Sequence, residues 1–149
     1  MLGCVITAAG LLVGTGCSTA HVTVAMPSPS TRDAAAACDA WADALPSTLV
    51  DQVVRETHPD SPLVAAYGDP PIVLRCGVAR PEALEPTSQL VSVNGVDWFP
   101  EPLSNGYLFT TVGRVADVEV AVPADYAPEA GPLVELSDVV TSTLPRLID

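Results

Sequence analysis

Lysine is absent. All six basic residues are arginine, against eighteen aspartates and glutamates, and the formal charge is -12. A chain without a basic cluster lacks the footprint that neutralises a phosphate backbone, so nucleic acid is excluded as a partner. The same charge repels the folded part from an anionic membrane surface. Histidine is scarce too, with only His21 and His58, and there is no C-x-x-C pair and no D-x-D-x-D-G loop. A zinc or calcium site would have to be assembled from scattered carboxylates, so no metal and no cofactor is expected. Phosphate-cradling glycine motifs are missing, as is the G-x-S-x-G turn of serine hydrolases. His58-Pro59-Asp60 matches the J-domain tripeptide, but without the long basic helices that give that motif its context.

What is present begins with an uncharged, mostly apolar run, Leu2 to Gly16. Fifteen residues fall short of the roughly 20 that a bilayer-spanning helix needs, and the length suits the apolar region of a secretory signal. No Lys or Arg precedes it, and an uncleaved anchor reaching Ala25 is an alternative. Val13-Gly14-Thr15-Gly16-Cys17-Ser18 resembles the lipidation box of bacterial lipoproteins. Cys17 would then be acylated, and several acyl chains at about 0.8 kcal/mol per buried methylene anchor a protein firmly. Otherwise Ser18-Thr19-Ala20 offers a small-x-small cleavage site and the protein is released. The expected partner is therefore the membrane, through a lipid anchor or the signal segment. The expected location is the outer face of the cytoplasmic membrane, or secreted.

Four cysteines are present. Cys4 and Cys17 fall in the leader, which leaves Cys38 and Cys76 as an even pair in an oxidising compartment, where a disulfide is the default. The order expected is residues 1–17 as a signal peptide or lipobox-like segment, 18–30 as a Pro/Ser linker, and 31–149 as a single α+β domain.

Within that domain, Ser30 and Asp33 suggest a helix cap. Ala34, Cys38, Trp41 and Leu45 then share one face of a helix over Thr31 to Leu45. Ser47 to Arg55 reads as a further turn or short helix. Pro71 to Val78 alternates as a strand, with Ile72, Leu74 and Cys76 on one side and Val73 and Arg75 on the other. Asn94-Gly95 marks a tight hairpin pairing Val93 with Val96, Ser92 with Asp97 and Val91 with Trp98. A second hairpin follows over Gly106 to Val112 and Ala116 to Val122. A last helix runs from Gly131 to Leu144, with Leu133, Leu136, Val140 and Leu144 on one face. The expectation is an antiparallel sheet of about five strands in two hairpins, with N- and C-terminal helices on one face: an α+β two-layer sandwich.

Three functions compete. A non-enzymatic binding module would use an anion or carboxylate site near Tyr67-Gly68-Asp69-Pro70-Pro71, with Tyr67, Asp69, Arg75, Trp98 and Arg114 as ligand-binding candidates and no catalytic residue. A cell-wall hydrolase would use Asp97 and Glu101, which flank the aromatic pair Trp98 and Phe99. A structural accessory would only dock its acidic surface on another envelope protein. The plain alternative to an anion site for Arg75, Arg80 and Arg114 is pairing with Asp69, Asp117 or Glu119.

The segments YGDPPIVLRCGVARP, VNGVDWFPE and FTTVGRVADVEVAVP resemble an actinobacterial family of exported proteins or lipoproteins, domain of unknown function 3515, over roughly Asp33 to Leu147. The resemblance implies an envelope location and pairing of Cys38 with Cys76, and the further partner expected is an envelope protein or cell-wall ligand. It implies no activity, cofactor or catalytic residue.

Overall fold

The computed structural model describes residues 20–147. The signal-like segment and Cys17 lie outside them. In chain order the elements are β1 (Val22–Thr23), α1 (Arg32–Ala44), β2 (Thr48–Leu49), β3 (Gln52–Arg55), β4 (Thr57–His58), β5 (Val64–Tyr67) and β6 (Ile72–Val78). They continue with β7 (Val91–Val93), β8 (Val96–Leu103), β9 (Gly106–Thr111), β10 (Asp117–Val122), a 3-10 turn at Ala124–Tyr126 and α2 (Pro132–Thr143). The molecule is mostly β. Eight strands form one antiparallel sheet in the order β2-β3-β5-β6-β10-β9-β8-β7, and β1 pairs with β4 in a separate parallel ribbon.

This corrects the expected sheet of about five strands in a two-layer α+β sandwich. Ser47 to Arg55 is not helical: β2 and β3 form a hairpin there, turning on Val50 and Asp51 at φ 43° and 63°. A two-residue turn of that hand usually announces itself with Asn or Gly. Here a valine and an aspartate fill it, and the Glu135 carboxylate of α2 accepts the Val50 N–H at 3.1 Å. Strand β5, which pairs with β6 from Val64 opposite Arg75 to Tyr67 opposite Ile72, lies in a stretch with no clean alternation. Strand β8 runs on through Pro100 and Pro102 to Leu103. Its partner β7 ends opposite Trp98, so both prolines stand on a free edge where a missing N–H breaks no ladder.

The hairpin at Asn94-Gly95 has the expected register, with Val91, Ser92 and Val93 opposite Trp98, Asp97 and Val96. Helix α1 starts one residue later than Ser30 would cap it: the Thr31 hydroxyl accepts the Ala34 N–H at 3.0 Å.

One face of the sheet carries Ile72, Leu74 and Cys76 of β6, Val118, Val120 and Val122 of β10, and Val96 and Trp98 of β8, all buried. Against it pack Ala34, Cys38 and Trp41 of α1 and Leu133, Leu136 and Val140 of α2. Each fully buried branched side chain stabilises the fold by about 1.5–3 kcal/mol. Cys38 and Cys76 form a disulfide across this interface, with Cα atoms 5.7 Å apart. The Trp98 indole N–H donates to the Ser137 hydroxyl at 3.1 Å, tying α2 to the same face.

Part of the stretch read as a linker runs along the domain. Val22 and Val24 donate to the carbonyls of Glu56 and His58, and Arg55 donates to the Ala20 carbonyl at 2.7 Å. Val24 is buried. Further on, Pro29 crosses the end of β6 at Gly77, where an added Cβ would stand 2.6 Å from the proline ring.

Candidate functional site

The five candidate ligand residues are distributed over both faces of the sheet. Tyr67 and Trp98 point into the helix-covered core. The Tyr67 hydroxyl donates to the Pro46 carbonyl at 2.8 Å, and burial, with the nearby Glu135 charge, pushes it up to about 12. Arg75 projects from the opposite face. Its guanidinium meets the carboxylate of Glu119, the residue directly across the ladder, at 2.6 Å, and also reaches the Ala25 carbonyl at 3.4 Å. Asp69 stands at the exposed loop tip, 3.6 Å from Arg55. That loop is held firmly, since Arg55 donates to the Gly68 carbonyl and the Tyr126 hydroxyl to that of Pro70. No cleft joins Tyr67, Asp69, Arg75 and Trp98.

Asp97 and Glu101 lie on one face of β8 with Phe99 between them. Four residues of strand separate their Cα atoms by about 13 Å. Paired glycosidase carboxylates stand about 5–9.5 Å apart across the bond they cleave. Among the described residues, no group of three or more His, Cys, Asp or Glu side chains could hold a metal ion. No helix among them is long and apolar enough to cross a membrane.

Arg114 leads to a different place. It is buried at the start of the β10 arm, where its guanidinium donates to the Leu144 carbonyl at 3.0 Å and approaches that of Gly95 at 3.5 Å. Arg146 donates to the same Gly95 carbonyl at 2.6 Å. The chain after α2 runs antiparallel to residues 113–115, with Val115 donating to Pro145 and Leu147 to Gly113. Three of the six arginines, Arg80, Arg114 and Arg146, therefore gather at this end of an otherwise acidic molecule. Burial lowers the Arg114 pKa from its ordinary value, and the neighbouring Arg146 charge adds to the effect, opposed by Asp97 and Asp117.

Here β6 and β10 diverge beyond Val78 and Asp117, where the register shifts. The gap is a cleft of about 600 Å3. Ser28, Ser30 and the first turn of α1 form one wall, Ala79 and Arg80 another, and Arg114, Ala116 and Asp117 the floor. The Asp117 carboxylate accepts from the Thr111 hydroxyl at 3.0 Å and the Arg114 amide at 3.3 Å. Burial raises its pKa, while those two hydrogen bonds and the charges of Arg80 and Arg114 pull the other way. Among the described residues, the guanidinium of Arg80, an exposed side chain, hydrogen-bonds only to the Leu84 carbonyl, at 3.5 Å. The arrangement offers the Arg80 fork, the fixed charge of Arg114, hydroxyls and two carboxylates over an apolar lining.

Two further clefts, of about 380 and 310 Å3, carry no arginine. Arg114 was accessible to sequence reasoning as an arginine at the turn of the second hairpin. The parts played by Ser28 and Ser30 were not, because they come from a segment more than eighty residues before Arg114 that meets it only on folding.

The family described as "Protein of unknown function (DUF3515)" matches residues 1–147 of the chain. No curated protein and no solved structure matches it.

Proposed function

The chain belongs to this DUF3515 family, and from that premise we propose that it is an exported protein of the actinobacterial cell envelope with a non-enzymatic binding or accessory role. It is held at the outer face of the cytoplasmic membrane through Cys17 or its apolar leader, or is released. Its ligand site is the cleft floored by Arg114, and its partner an envelope protein or cell-wall ligand.

The observation that carries this reading is the Cys38–Cys76 disulfide at the centre of the core. Such bonds persist in oxidising compartments and are rare in the cytosol, and the apolar Leu2 to Gly16 run at the other end of the chain fits the same route. A binding role rather than chemistry is favoured by the wide separation of Asp97 and Glu101, and by a cleft whose Asp117 carboxylate is already held by the Thr111 hydroxyl and the Arg114 amide.

The test is the intact mass of the mature protein from its native host. Processing after Gly16 or Ala20, with two hydrogens missing for one disulfide, is the expected result. Full-length material with two titratable thiols recovered from inside cells would overturn it.

A further inference from the structure

We infer that the cleft between the arms of β6 and β10 is a site for a carboxylate carried on a small apolar body, with the Arg80 guanidinium as its receptor and the fixed charge of Arg114 beside it.

The cleft's volume of about 600 Å3 lies within the usual range for small-molecule sites, about 300–1,000 Å3. Its chemistry narrows the ligand. The planar guanidinium fork matches a carboxylate with paired hydrogen bonds. Arg80 is exposed and, among the described residues, makes one hydrogen bond, at the limit of length. Arg114 is fixed by two carbonyls and cannot swing away. A dianion such as phosphate would also meet Asp33 and Asp117 on the same lining, and like charges at close range disfavour it. A monoanion presents half that charge. The apolar part of the lining includes Val78, Ala79, Val115, Ala116 and Leu147, which suits a ligand with an apolar remainder. Asp117 uses Oδ1 for both of its hydrogen bonds, so its other oxygen can accept an N–H from the ligand. A free organic acid and the C-terminal end of a peptide with small side chains share this chemistry.

The inference rests on the reading of this cleft as the ligand site and deepens it. Its test is a titration of the 15N-labelled mature protein followed by NMR, with acetate, N-acetyl-alanyl-alanine, the same dipeptide capped as its amide, and inorganic phosphate as the probes. The expected result is saturable shifts confined to Ala79, Arg80, Arg114 and Ala116 with the dipeptide acid. Arg80→Gln should weaken them about tenfold or more while leaving the rest of the spectrum unchanged. Tighter binding of the dipeptide acid than of acetate identifies a peptide end, and equal binding a free acid. If the capped dipeptide or phosphate binds the cleft as well as the acid does, the carboxylate inference fails and the ligand site stands. If no probe shifts these residues, or Arg80→Gln changes nothing, the ligand site fails with it. Neither outcome touches the export reading, which the mass measurement decides separately.

Discussion

At the scale of single residues, Asp117 is the most informative group. Its carboxylate is desolvated beside the cleft, and two hydrogen bonds compensate only in part, so its folded pKa stands above the ordinary carboxylate value. A group whose pKa rises on folding contributes stability that is complete below its unfolded pKa and is lost as pH climbs through the folded one. Asp117→Asn keeps an oxygen for Thr111 and for the Arg114 amide but carries no charge to desolvate. The variant is expected to be at least as stable as the parent at pH 7, with its relative advantage shrinking as pH falls toward 4. Denaturant midpoints of the two proteins across that range check this, and a variant that loses stability at pH 7 and recovers none in acid would refute it. Arg75 shows the opposite situation. Its residue type and exposure on the strand suggested a ligand site, yet the register puts Glu119 directly across from it. Glu119 was one of three acids open to it as a partner, and only the pairing of two strands far apart in sequence selects it.

At the scale of elements, a hairpin was legible where its turn carries its own chemistry and hidden where it does not. Asn94-Gly95 takes positive φ at both residues, and the register beside it followed from the two-residue loop alone. The Val50-Asp51 turn adopts the same hand, but β-branched valine is rarely found there. A hydrogen bond to Glu135 of α2 holds it, and that contact spans 85 positions of sequence. Amphipathic spacing located both helices, because their apolar stripes are continuous over three turns. Gly106, which opens β9, tests how closely two elements approach. Its φ is +114°, and an added Cβ would run into the Val122 carbonyl oxygen and lie 2.9 Å from the Ala124 nitrogen. Gly106→Ala is therefore expected to cost a few kcal/mol, since the backbone of β10 must move to admit it. Chemical denaturation would read this as a clear drop in midpoint, and an unchanged midpoint would show that the approach is looser than it stands.

At the scale of the whole molecule, the disulfide joins the helical layer to β6, one of the two central strands of an eight-stranded sheet, closing a separation of 38 residues. Closing a loop of that size stabilises by about 3–4 kcal/mol through the unfolded chain. Cys38→Ser is expected to lower the melting temperature by about 10 °C or more under oxidising conditions. A reductant should bring the parent down to the same value, and a parent indifferent to reductant would remove the cross-link from the stability argument. The cleft belongs to this scale too, since its walls come from the segment before α1, the diverging ends of β6 and β10, and the tail after α2.

The chain by itself determined the charge, the cysteine pair, both helices, the Asn94-Gly95 hairpin and the inward row of Val118, Val120 and Val122. Those follow from composition and from periodicities of two and 3.6 residues, which are local. Tertiary structure decided the eight-strand order, the β2–β3 hairpin, the continuation of β8 past two prolines, and the meeting of Arg80, Arg114 and Asp117 around one cleft. Each depends on contacts between distant segments, whose free energy becomes available only once the sheet has closed and excluded water.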